Sequence, residues 1–202
     1  MLDECEGVAE EFNKFIVLHP YLKTISQVLG KPKYSYEVIE AYWLGNDLLN
    51  KFKSDHYNLL LESFLQQGVP DFFVEELKSK KPVEFIPTHL FQVLHVGVGK
   101  ASGAVPFNLE SINNCMIRWG EVTEINGSNI TVLLNSMNSN KNNYFINKAP
   151  QKFSFVKDFI KDVKVGSIVA VHWQQVIKVL TSKEKENVSN WTEKVIKTIL
   201  PE

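Results

Sequence analysis

Cysteine is nearly absent: the 202 residues hold two, Cys5 and Cys115. Two widely spaced thiols read as free cysteines rather than a disulfide, and they cannot supply the paired cysteines of a structural zinc knuckle. Long apolar runs are missing too, since none approaches the ~20 residues that cross a bilayer. The opening Met1-Leu-Asp-Glu-Cys-Glu is acidic and lacks the basic-then-apolar order of a signal peptide. The expectation is a cytoplasmic chain with no membrane association. The N-x-[ST] triplets at Asn126, Asn129, Asn187 and Asn190 then imply no glycan. Positive charge is not in surplus: 22 basic residues face 23 acidic ones, for a net charge of −1. Proteins that bind by neutralising phosphates carry a basic excess, so nucleic acid is not an expected partner. The Lys78–Lys81 run before Pro82 reads as a solvated helix end. Gly97-Val-Gly99-Lys100 is too short for a phosphate-binding loop, which places four residues between its Gly and the Gly-Lys pair.

Material for a core is plentiful. Hydrophobic residues make up 44% of the chain, with 13 Phe, 6 Tyr and 4 Trp among them, which is ordinary globular composition. The first half reads as helical. Glu10–Leu18 predicts a helix closed by His19-Pro20. Val38, Ile39, Tyr42, Trp43, Leu49 and Phe52 recur at helical spacing after Ser35. A helix from Asp55 stops at Gly68, and another spans Phe72 to Ser79. The texture changes at Lys80-Lys81-Pro82, and from Pro87 on the apolar Leu90–Val98 predicts a buried strand. Residues 1–84 thus form a helical region, with 85–110 a buried strand and connection.

Residues 111–182 read as β structure. Asn126-Gly127-Ser128-Asn129 is a hairpin signal between strands Cys115–Ile125 and Ile130–Asn135. Asn135–Asn143 reads as a polar loop tip, and Tyr144–Ile146, Phe153–Val156 and Ser167–Trp173 bring the count to about five short strands. That number suits a small closed barrel, which leaves no exposed sheet edges. Residues 183–202 form a terminal helix. Thr181 and Glu184 make its T-x-x-E capping box, and Val188, Trp191, Val195 and Ile199 its apolar stripe, expected to pack on the barrel. The fold class is α+β: a helical N-terminal half, a small barrel-like C-terminal half and a terminal helix.

Groups able to carry chemistry are few. His19 and His56 sit in ordinary helix-boundary contexts. His89 and His95 flank the expected strand, and six residues of extended chain span roughly 20 Å, too far to share an ion unless the strand bends. Cys115 opens the run Cys115-Met-Ile-Arg-Trp-Gly-Glu-Val122. Further on come Val163-Lys-Val-Gly166-Ser-Ile-Val-Ala-Val-His172, Ile177-Lys-Val-Leu180 and Lys183-Glu-Lys-Glu186. In order and spacing, residues 115–190 resemble the HypC-type hydrogenase-assembly chaperones. The resemblance implies an OB-like barrel with a trailing helix, and a role as a chaperone holding an iron centre together with a second maturation protein. It makes Cys115 the iron-linked residue and His172 a candidate companion. The whole chain is also similar to an uncharacterised family of unknown function, through Ala41-Tyr-Trp-Leu-Gly-Asn46, Leu90–Val96, Cys115–Val122 and His172-Trp173.

A thiolate and an imidazole on neighbouring strands suit a transition metal, iron or zinc, in preference to magnesium. One Cys and one His are an incomplete shell, so His95 or a protein partner would add ligands. The plain alternative makes Cys115 a small buried hydrophobe and His172 a wall histidine. Two functions therefore stand: a non-enzymatic metallocentre-assembly or interaction module presenting a Cys/His pair, or a small cytoplasmic enzyme with a thiol or metal site between its helical half and its barrel. In the second, Cys115 is the nucleophile with His95 or His172 as base.

Overall fold

The computed structural model describes residues 15–100, 105–140, 143–155 and 160–199. Cys5, residues 10–14 of the first expected helix and Val156 lie outside them. The chain divides into two compact units, Met1–Phe91 and Gln92–Glu202.

The first unit is helical. α1 (Leu18–Leu29) begins where a helix end is expected at His19-Pro20. Pro20 falls in the first turn, where a missing N–H has no intrahelical partner to lose, so the residue that looks like a stop sits at a start. α2 (Tyr36–Trp43) ends before Gly45, whose φ of 78° turns the chain. Asn46 then accepts the Leu48 N–H at 3.2 Å and caps a 3-10 turn, Asp47–Lys51, so the apolar stripe Val38–Phe52 belongs to two elements. α3 (His56–Gln66) and α4 (Asp71–Ser79) follow as the pattern predicts. Tyr21, Tyr42, Tyr57 and Phe64 are buried among them, and the Tyr57 hydroxyl donates to the Leu77 carbonyl at 3.1 Å. The unit ends on α5 (His89–Phe91).

Leu90–Val98 is buried as expected, but it is helical and not a strand. Thr88 Oγ1 accepts the Phe91 N–H at 3.2 Å and starts α5, and residues 92–97 form a π-helical turn, Gln92–Gly97, that opens the second unit. A run apolar on every side fits a buried helix as well as a buried strand, and periodicity does not separate the two.

The rest of the second unit is α6 (Leu109–Cys115), five strands and α7 (Ser182–Ile199). The strands are β1 (Arg118–Asn126), β2 (Asn129–Asn140), β3 (Asn143–Ser154), β4 (Ile168–His172) and β5 (Gln175–Val179). They form one antiparallel sheet in the order β3-β2-β1-β4-β5. β1 and β2 meet at the expected hairpin, with Asn126 opposite Asn129 and Gly127 at φ 63°. Gly120 is required for another reason: a Cβ there would lie 2.4 Å from the Leu133 carbonyl oxygen of β2.

The expected loop tip at Asn135–Asn143 is instead ladder. β2 and β3 stay paired from Asn129 opposite Ser154 to Asn140 opposite Asn143, with Pro150 opposite Leu133. Polar composition marks exposure of that hairpin and not the end of its pairing. The two strands expected at Tyr144–Ile146 and Phe153–Val156 are therefore one edge strand. β5 is the fifth, hidden because its turn lacks glycine. The sheet is open, with β3 and β5 as its edges and no ladder joining them among the described residues, so a closed barrel is not shown.

One face of the sheet carries the core of this unit: Val122, Ile130, Val132, Leu134, Phe153, Val169, Val171 and Val176, with Phe155 beyond the end of β3. α7 is capped as predicted. The Thr181 N–H donates to Glu184 Oε2 at 2.8 Å, and the Glu184 N–H donates to Thr181 Oγ1 at 3.2 Å. Among the described residues no helix is long and apolar enough to cross a membrane.

Candidate functional site

Cys115 does not open a strand. It is the last residue of α6, and β1 begins three residues later at Arg118. Asn108 starts that helix by accepting the Ser111 N–H at 2.9 Å. Its final carbonyls need partners outside the helix. The Trp173 N–H supplies one, donating to the Asn114 carbonyl at 2.8 Å. The Asn114 side chain is also hydrogen-bonded by the Gln174 amide. The end of α6 is thereby fixed to the turn between β4 and β5.

That turn is unusual. His172 pairs with Gln175, leaving a two-residue loop, Trp173-Gln174, with φ values of 46° and 62°. Two left-handed residues give the tight turn that matches strand twist, a position ordinarily filled by Asn-Gly. A bulky residue there is strained. The strain places the indole beside the sulfur, where the Trp173 side chain hydrogen-bonds the Cys115 thiol.

Cys115 and His172 lie close together. The Cys115 Sγ and a ring nitrogen of His172 lie within 4.8 Å of each other. The imidazole hydrogen-bonds the backbone of Cys115 and meets the Trp173 ring edge-on at 6.4 Å. Burial pushes the thiol up to about 11, against the Trp173 hydrogen bond. Burial also lowers the imidazole to about 4; the Cys115 backbone opposes that shift and the positive Arg118 adds to it. At neutral pH the pair is thus a thiol and a neutral imidazole, not a thiolate–imidazolium pair.

The other histidines are placed differently. His95 is half-buried on the π-helical turn and is not among the residues whose ligand atoms gather at Cys115 and His172. In the first unit, His89 Nδ1 lies 2.8 Å from the Tyr42 hydroxyl and the ring is 4.4 Å from that of Trp43. His19 contacts Lys33, and His56 accepts the Lys53 N–H. Sequence reasoning missed the turn that assembles the pair, because Trp173-Gln174 carries no turn signal beyond its position between two apolar runs.

Compared with known families, the chain matches over residues 2–200 the one described as "Family of unknown function (DUF6390)", and it belongs to that family. No curated protein and no solved structure matches it. These comparisons lend no support to the HypC-type resemblance.

Proposed function

We propose that this member of a family of unknown function is a non-enzymatic metal-handling module, binding iron or zinc through Cys115 and His172 in the manner of the HypC-type chaperones that its second half resembles. The observation that carries the reading is the pairing of a soft sulfur and an imidazole nitrogen within 4.8 Å in one unit. Tetrahedral ligation sets such atoms roughly 3.5 Å apart, within reach of a small side-chain adjustment. The imidazole is neutral, as a ligand must be, and its hydrogen bond to the Cys115 backbone orients the ring as an outer-shell contact does in metal sites. The thiol gives up its proton to the solvent when metal binds.

The high thiol pKa argues for this reading over a thiol enzyme. A nucleophilic cysteine needs its pKa lowered by a neighbouring cation, and here burial raises it. Two protein ligands hold an ion loosely, which suits handing it to a protein partner.

Anaerobic titration with Fe²⁺, Zn²⁺ and Co²⁺ tests the proposal. Wild type should bind one equivalent with release of a proton and a sulfur-to-cobalt absorption band, and both should vanish in Cys115→Ser and weaken at least tenfold in His172→Ala. The same titration on His89→Gln and His95→Gln reads whether either adds a ligand. Wild type that binds no metal and substitutions that alter only stability would refute the assignment.

A further inference from the structure

A second site lies in the same unit, on the sheet itself. Arg118 opens β1 with only 2% of its surface exposed. Its Nη1 donates to Gln151 Oε1 at 3.0 Å, and its guanidinium lies 5.8 Å from the centre of the Phe153 ring. Its Nε and Nη2 are buried with no hydrogen-bond partner among the described residues. A neutral amide and a distant aromatic face are poor compensation for a buried cation, and a buried charge without a counter-ion is rare. Burial lowers its pKa, yet an arginine keeps its charge in any protein environment.

The unsatisfied donors border a space. Arg118 and Ser136 both line a cavity of about 350 Å³, within the range of small-molecule sites. Ser136 Oγ is a second buried atom there with no hydrogen-bond partner among the described residues. Trp119 pairs with Asn135, so the next residues along, Arg118 and Ser136, stand opposite each other on one side of the sheet. The neighbouring polar groups are largely committed to the fold. Asn113 of α6 bonds the Leu109 and Met137 carbonyls and the Met137 N–H, and Gln174 bonds Asn114. Glu110, the one carboxylate among the described residues that line the cavity, is exposed.

We propose that this cavity binds the oxyanion group of a small polar molecule, a carboxylate or a phosphate, on the Arg118 guanidinium edge and the Ser136 hydroxyl. Two parallel N–H groups on a planar fork match two oxygens of either group, and the hydroxyl adds a third donor. The committed amides of Asn113 and Gln174 hold the walls while the ligand supplies the missing charge.

Calorimetry and thermal melts with inorganic phosphate and with succinate test it and separate the two classes. Wild type should bind one of them, and at a hundredfold excess over Kd its melting temperature should rise by roughly 5–10 °C. Arg118→Met should abolish the response, and Ser136→Ala should weaken it about tenfold. Arg118→Lys, which keeps the charge and loses the fork, should bind far more weakly than wild type; it also serves if Arg118→Met does not fold. No response from wild type to either anion overturns the proposal, as does a response that survives Arg118→Met or Arg118→Lys intact.

Discussion

Along one face of β1, β2 and β3 the residues change character within two to four positions. At one end stand Val122, Ile130, Val132, Leu134 and Phe153, all buried in the apolar core. Continuing along the same strands on the same side come Arg118, Ser136 and Gln151, which line the polar cavity. Pleating alone would have continued the core. The difference separates what holds the fold from what the fold holds. The apolar end gains stability with every methylene buried, whereas the polar end buries donors that nothing among the described residues satisfies. Glu184 sharpens the point. It is equally buried at 5% exposure, but it receives Lys178 Nζ at 2.5 Å and both the N–H and hydroxyl of Thr181. One buried charge is fully answered by the chain and the other is not.

The largest expected effect lies at the apolar end. Leu134→Ala should destabilise by about 3 kcal/mol, read as a lowered urea midpoint with unchanged slope, while anion and metal binding persist in the folded fraction. An effect below ~1 kcal/mol would mean that this face is not the core it resembles.

Next comes the answered charge. Burial works against the Glu184 carboxylate, but Lys178 and Thr181 outweigh it and lower its pKa from 4.5 to about 2. A depressed carboxyl pKa contributes stability above pH 4.5 that is lost as pH falls towards 2. Lys178→Met should flatten the fall in stability across that window. Thr181→Ala should do the same and cost about 1 kcal/mol at neutral pH by removing the cap. Urea unfolding at several pH values checks both, and a slope unchanged in both variants would refute the pairing.

Smaller, and opposite in sign, is the turn. Trp173→Asn with Gln174→Gly should raise stability by about 1 kcal/mol by relieving two left-handed side chains. It should also increase the reactivity of Cys115 towards a thiol reagent, since the indole no longer covers the sulfur. A destabilised double variant would show that the indole contributes more to packing than the turn costs. The smallest effect belongs to Ser136→Ala, within ~0.5 kcal/mol of wild type without ligand, because the lost hydroxyl has no partner among the described residues to leave behind.

Helices with clear stops were legible in the sequence, as were the Asn126–Asn129 hairpin and the Thr181–Glu184 box, because each rests on local chemistry. Pro20, Leu90–Val98 and the Asn-rich arm were misread, since proline at a helix start, an all-apolar run and a polar ladder give the same local signal as their alternatives. Cys115 and His172 were singled out by their motif, and they stand as a proposed site. Arg118 stands in that motif three residues from Cys115, yet nothing in the residue string says that it is buried with no ion pair among the described residues. That depends on the register of β1 against β2 and β3, a property of pairing between strands distant in sequence.

The edge strand β3 carries Pro150 between Lys148 and Lys152. β2 occupies one side of that strand, so the donor that proline lacks is missing from the open side. An incoming strand would find a gap in its hydrogen-bond ladder with a cation on each side, a known barrier to edge-to-edge self-association. This long polar hairpin can therefore stand in solvent at high protein concentration without seeding aggregates, and Pro150→Val with Lys148→Thr should turn it into a template for them.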